Sequence, residues 1–356
     1  MGSLSLYALE KTPPARARRR RKYWWSALSD EELLDVPLSR LGLEIEGSPL
    51  EGRLRRLCDD LGRAGIDFRP NVWLSIDWFC PDGSTGFAIP FHLADARLMA
   101  LERKMVFEVE GGTSKECLRL LRHETGHAIE HAYHLRRRRD WRARFGRASR
   151  SYGDTYRANP LSRQCVVHLE GWYAQSHPLE DWCETFAVLV GEPRTWRKRY
   201  ADWPALRKLL FIEELVDEIG KRPPPHRSTE RLDPLSKLKG TLGDHYREKK
   251  RREFAEDLRT DERLASVFEQ RPRRSRRDSA AGFLRAYSRD LVGTVVSGTR
   301  IDSYVVEQAL KEMIRGCRRL GLAADRGDRA TTMRAVALLS AISNEMLTSR
   351  NPVFAR

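Results

Sequence analysis

The chain has 356 residues, with 65 Lys and Arg against 50 Asp and Glu for a formal net charge of +15, and 40% of its residues are hydrophobic. That is enough apolar material for a substantial core, held as one large domain or two modules, while no stretch approaches the 18 apolar residues of a membrane-spanning helix. The six cysteines (Cys58, Cys80, Cys117, Cys165, Cys183 and Cys317) show no C-x-x-C spacing, and the basic block at 16–22 has no apolar segment beside it, so a reduced, cytoplasmic protein without an export signal is expected.

In chain order, residues 1–25 read as a disordered basic arm ending at Trp24-Trp25. A short capped helix is expected at 29–34 and a second helix at 54–64. Strand-like segments follow at 71–79, 86–91 and 106–110, the first two separated by a Pro81-Asp82-Gly83 turn. A Gly111-Gly112 turn then leads into a helix over the apolar run 118–132, with Thr113 or Ser114 as cap. Another helix starts after Ser176, its expected N-cap, with Pro178 in the first turn and Gly191 and Pro193 at its end. Residues 195–220 continue as helix, and Pro223-Pro224-Pro225 opens a linker over 221–236. Amphipathic helices at 246–258, 281–290, 303–320 and 329–347 make 237–356 a helical C-terminal module. The expected class is therefore α+β and mostly helical, with a catalytic domain over 26–220.

The run 118–132 contains His123-Glu124-Thr125-Gly126-His127, the H-E-x-x-H pattern. Histidines four apart on a helix share a face one turn apart, so both imidazoles can reach one metal ion. Glu124, the next residue, can hold a water beside that ion and accept its proton. Two imidazoles do not complete a tetrahedral zinc site, so a third ligand must come from elsewhere.

Three zinc-peptidase classes share such a helix. One continues H-x-x-G-x-x-H, but here Glu130 and Tyr133 occupy the glycine and histidine positions. His131 and His134 lie further along the helix, too far to share the ion at 1.5 Å per residue, and are expected to line the cleft or pack. A second class takes an Asp from a later turn, and Asp154 stands in the wrong residue order for it. The third takes a Glu from a later helix. Glu180 and Glu184, four apart on the helix after Ser176, supply one carboxylate for the metal and one to hold the ring N–H of a ligating histidine. Glu180 is expected as the ligand and Glu184 as its support, although spacing alone leaves the exchange of these roles open.

Residues 121–127 together with 173–187 resemble a bacterial family of zinc-binding metallopeptidases within the gluzincins, the broad group that includes Mlc titration factor and anthrax lethal factor. The resemblance implies a small β-sheet over the active-site helix and a single Zn2+ per chain. A tyrosine seven residues before the ligand Glu belongs to that group, and Tyr173 keeps this distance to Glu180. It implies that Tyr173 turns its hydroxyl toward the reacting oxygen; His168, five residues earlier, is a weaker alternative donor on the residues alone. An edge strand at 86–91 could pair with extended substrate, or it could be an ordinary core strand. Where the family often has Ala, this chain has Cys183.

The expected activity is thus hydrolysis of peptide bonds in a peptide or protein substrate. Arginine blocks at 16–21, 136–139 and 271–277, with the basic run 249–252, could meet nucleic acid or acidic partners. No zinc-finger, helix-turn-helix or aromatic-basic platform accompanies them. The competing reading is a regulatory or partner-binding protein with a vestigial zinc site.

Overall fold

Residues 23–106, 109–153, 155–253, 258–270, 278–324, 328–348 and 353–355 are described by the structure, a computed structural model. The first helices form where capping is strongest. Ser29 and Glu32 form a reciprocal capping box at the start of α1 (Asp30–Leu34), and Ser48 with Pro at N1 starts α2 (Pro49–Arg63). Next come β1 (Asn71–Ser75), β2 (Gly86–Pro90), α3 (Ala96–Val106), α4 (Ser114–Tyr133), α5 (Arg139–Phe145) and β3 (Thr155–Arg157). The middle of the chain holds α6 (Pro178–Gly191), α7 (Trp196–Arg199), α8 (Leu206–Ile219) and α9 (Leu242–Glu253). The remainder is α10 (Leu258–Val267), β4 (Glu269–Gln270), β5 (Asp278–Ser279), α11 (Ala280–Ala286), α12 (Ser288–Thr299), α13 (Ser303–Arg319), β6 (Leu322–Ala324), α14 (Arg329–Thr348) and β7 (Val353–Ala355). The chain is mostly helical with small sheets, as an α+β class requires.

β1 and β2 pair in parallel, Asn71 opposite Gly86. A Cβ at Gly86 would lie 1.7 Å from the Asn71 carbonyl oxygen, so only glycine admits the strands this close. β2 is buried along its whole length, packs on α4, and is bridged by Phe79 at Ala88 on its second edge. It is therefore a core strand, and the edge open to substrate that 86–91 could have offered is not there at Ala88. Of the third strand expected at 106–110, the described residues 106, 109 and 110 are not strand: Val106 ends α3, whose buried Leu98, Leu101, Glu102 and Val106 keep helical spacing, and residues 107–108 lie outside the described set.

Two hydrophobic cores divide the apolar residues. The first, built on Trp141, Trp182, Phe186 and Trp196, also takes in Trp25 at one end and Leu242 and Tyr246 at the other. Trp25, expected at the end of a disordered arm, is buried and donates its indole N–H to the Leu41 carbonyl at 2.8 Å; residues 1–22 lie outside the described set. The helical segment expected from 237 onward is split, because α9 packs in this first core. The second core joins Phe268, Phe283, Val306, Met313 and Leu339 to Ala158 and Trp172 from the middle of the chain. The expected continuous helix over 195–220 is broken between α7 and α8 around the buried Tyr200. The expected linker after the proline run is strapped to the sheet: Ser75 donates to the Asp233 carbonyl at 2.7 Å and Trp73 to Leu232 at 2.9 Å. No helix among the described residues is long and apolar enough to cross a membrane.

Candidate metal centre

α4 starts at a capping box, Thr113 with Glu116, which fixes where its turns fall and which face turns toward α6. The two helices touch at Gly126. A Cβ there would stand 3.0 Å from the Cys183 Cα and 3.2 Å from its Sγ, and Trp182 closes the contact by donating to the Gly126 carbonyl at 2.9 Å. This approach brings His123 and His127 of α4 against Glu180 and Glu184 of α6. The N-cap of α6 is His177 rather than the expected Ser176; its Nδ1 accepts from the Leu179 amide at 3.2 Å, while Nε2 donates to the Arg150 carbonyl.

One carboxylate oxygen of Glu180, Oε2, lies 3.0 Å from His123 Nε2 and 3.3 Å from His127 Nε2. Glu184 Oε1 meets the other nitrogen of His123, Nδ1, at 2.9 Å, and its Oε2 accepts the Leu169 amide at 2.7 Å. With Nδ1–H donating to Glu184, His123 presents the Nε2 lone pair to an anionic oxygen. Two electron-rich atoms at 3.0 Å require a cation between them, either a proton or a metal ion. Donors held at about 2.0–2.1 Å around a tetrahedral zinc stand about 3.3 Å apart, so these separations suit one such ion. Burial pushes the Glu180 carboxyl up, but His127 and His123 together outweigh it and hold it well below the usual range.

Cys183 enters the same neighbourhood. Its Sγ and a nitrogen of each of His123 and His127 all lie within 4.8 Å of one another, so a His–His–Cys group could also hold a metal. Burial, with Glu180 and Glu124 nearby, raises the Cys183 thiol well above its ordinary value. Glu180 Oε2, at 3.0 and 3.3 Å from the two imidazole nitrogens, and Cys183 Sγ are thus both placed to serve as a third donor.

Glu124 is buried at 7% exposure beside the two histidines, and its Oε2 has no hydrogen-bond partner among the described residues. Burial raises its pKa, partly opposed by His123 and His127 and assisted by Glu180 and Asp77. Tyr173 stands on a short 3-10 turn, Glu170–Gln175, with its ring 5.8 Å from that of His123. Tyr152 escaped sequence reasoning: its hydroxyl donates to Glu180 Oε1 at 3.1 Å and its ring stacks on His177 at 3.8 Å. It lies in a loop with no periodicity, so only the folded contact exposes it. Asp154 lies outside the described residues.

Three further histidines near α4, His131, His134 and His168, have structural partners. His131 is buried with Nδ1 on the Ser84 carbonyl at 2.8 Å, and His134 takes the left-handed C-cap of α4 and stacks on His226. His168 is buried and donates through Nε2 to the Arg119 carbonyl at 3.1 Å.

Residues 111–191, from the turn before α4 to the end of α6, match the family model described as "Putative zinc-binding metallo-peptidase". This is the family that residues 121–127 and 173–187 resemble. No curated protein and no solved structure matches the chain.

Proposed function

We propose that the chain is a zinc-dependent peptidase of the gluzincin type, with His123, His127 and Glu180 as metal ligands, Glu124 as general base and Tyr173 as oxyanion donor. The observation that carries this reading is the convergence of both imidazole Nε2 atoms on one Glu180 oxygen beside a buried Glu124 Oε2 that has no hydrogen-bond partner among the described residues. Zinc at such a site lowers the pKa of water toward neutrality and polarises a peptide carbonyl.

The chain's own groups supply the rest. Glu124 takes the proton of the attacking water on its free oxygen and delivers it to the leaving amine. Its raised pKa brings it closer to the working pH, where a base both accepts and returns a proton efficiently. Glu184 fixes the His123 tautomer, so that Nε2 is the nitrogen available to the ion. The neutral Tyr173 phenol can donate to the carbonyl oxygen as charge develops on it. Tyr152 orients the second oxygen of Glu180 and leaves Oε2 for the ion.

The test is Glu124→Gln, which keeps shape and burial but removes the base. The purified variant should retain about one zinc per chain by elemental analysis while hydrolysis of an unfolded protein substrate falls at least about a hundredfold. Wild-type turnover in that variant would remove Glu124 from the mechanism. A zinc-loaded wild type that cleaves no peptide would instead favour a binding protein.

A further inference from the structure

Tyr173 owes its place to a backbone conformation that its own segment does not favour. The chain passes through two consecutive left-handed residues, Gly171 (φ 68°, ψ 16°) and Trp172 (φ 55°, ψ 41°). Trp172 carries a Cβ, so this conformation persists only where its surroundings enforce it. Those surroundings belong to the second core. The Trp172 indole is buried there, edge-on to the Tyr304 ring at 5.1 Å. Tyr304 donates its hydroxyl to the Leu169 carbonyl at 3.0 Å, and Gln308 Oε1 accepts the Gly171 amide at 3.3 Å. Lys311 completes the stripe with an ion pair to Glu170. Residues 304, 308 and 311 recur at helical spacing, so one face of α13 holds the segment while Val306, Leu310 and Met313 anchor the helix in its core. The same segment supplies the Leu169 amide that binds Glu184 Oε2.

We infer that Tyr304 and Gln308, on a helix that contributes none of the proposed metal ligands, are positioning residues for the reaction: they hold the left-handed Gly171–Trp172 turn that sets the Tyr173 ring beside His123. α13 therefore acts on the chemistry through Tyr173. This inference rests on the peptidase reading above. It predicts a specific kinetic pattern, because Tyr173 serves developing charge and not ground-state binding: kcat falls while KM holds.

The experiment uses the full, zinc-loaded chain with 3-fluorotyrosine at position 173. Gln308→Met keeps the side-chain volume but removes the acceptor; Tyr304→Phe keeps the ring on Trp172 and removes only the hydroxyl. In each, zinc content should stay at the wild-type level and KM for an unfolded protein substrate within about twofold. The kcat should fall about tenfold or more, and the fluorine line of residue 173 should shift or broaden. Gln308→Glu, which restores an oxygen acceptor, should recover both kcat and the fluorine line. If the wild type hydrolyses substrate and neither variant changes kcat or the line, the positioning role is overturned and the peptidase reading stands. If the wild type hydrolyses nothing while the line still moves, the peptidase reading falls and the positioning stands; a line that also stays still overturns both.

Discussion

His168 is held neutral within reach of Glu184, at the foot of the segment that carries Tyr173. Burial is the main cause, and it outweighs the attraction of Glu184 to bring the imidazole down to about 4. An exposed imidazole titrates at 6.5, so between these values the unfolded chain binds a proton that the native chain refuses. The contribution is fully present above pH 6.5 and is lost as pH falls toward 4, the loss reaching about 3 kcal/mol at the acid end. His168→Gln keeps a donor for the Arg119 carbonyl and removes the titration. Urea denaturation across pH 6.5 to 4 should give the variant a clearly flatter stability curve than the wild type. Equal slopes would mean that His168 is not the group responsible. Glu124 and Glu184 are shifted in opposite directions: burial raises both, but the hydrogen bonds from His123 and the Leu169 amide bring Glu184 below its ordinary value, while Glu124 stays raised. Two carboxylates on adjoining helices are thereby separated, one toward accepting a proton and one toward permanent charge.

The contact between α4 and α6 is where the ligand geometry is set. Gly126→Ala would place a methyl against the Cys183 backbone, which cannot rotate away as a side-chain tip can. The helices must then separate, and that moves the histidines off Glu180. Overpacking of this kind costs about 1–3 kcal/mol, and zinc affinity should fall with it. Thermal melts together with competition against a chromogenic chelator would measure both, and unchanged values would show that the contact has slack. The parts of this contact legible in the sequence are those set by local spacing: His123 and His127 are four apart, as are Glu180 and Glu184, and helical periodicity alone gives each pair a common face. The caps of α1 and α4 were legible for the same reason. What stayed hidden depends on residues distant in the chain. The Tyr152 contact crosses 28 positions, the Phe79 bridge closes β2, and the replacement of Ser176 by His177 as cap needs the Arg150 carbonyl on its far nitrogen. Val106 ends a helix instead of opening a strand because an alternating run can close a helix when its buried residues also fit a period of 3.6.

Across the whole molecule, the proposed metal ties together elements whose burial would otherwise be costly. Glu124, Glu180 and Glu184 are three carboxylates within one buried cluster, answered locally by two imidazoles on α4. Without a metal, balancing that charge falls to protons on the histidines; burial opposes a charged His123, and its hydrogen bonds and charge attraction to Glu180 and Glu184 raise it well above its ordinary value. A divalent cation removes the conflict, since the histidines can stay neutral while the carboxylates stay ionised. Its binding then stabilises the native chain alone, by about 4 kcal/mol when free zinc exceeds the dissociation constant a thousandfold. In a chain of this size that corresponds to a rise in Tm of several degrees. Scanning calorimetry of the wild type with zinc, after chelation, and after zinc is restored should show the transition fall and recover. His127→Ala should melt at one temperature in all three conditions. The two hydrophobic cores add a spatial expectation: the first core contains the ligand helices, so any transition that separates from the rest and ignores zinc should belong to α10–α14. A wild-type transition indifferent to verified removal of the metal would show that the buried carboxylates are balanced by protons, and that zinc is not what holds α4 against α6.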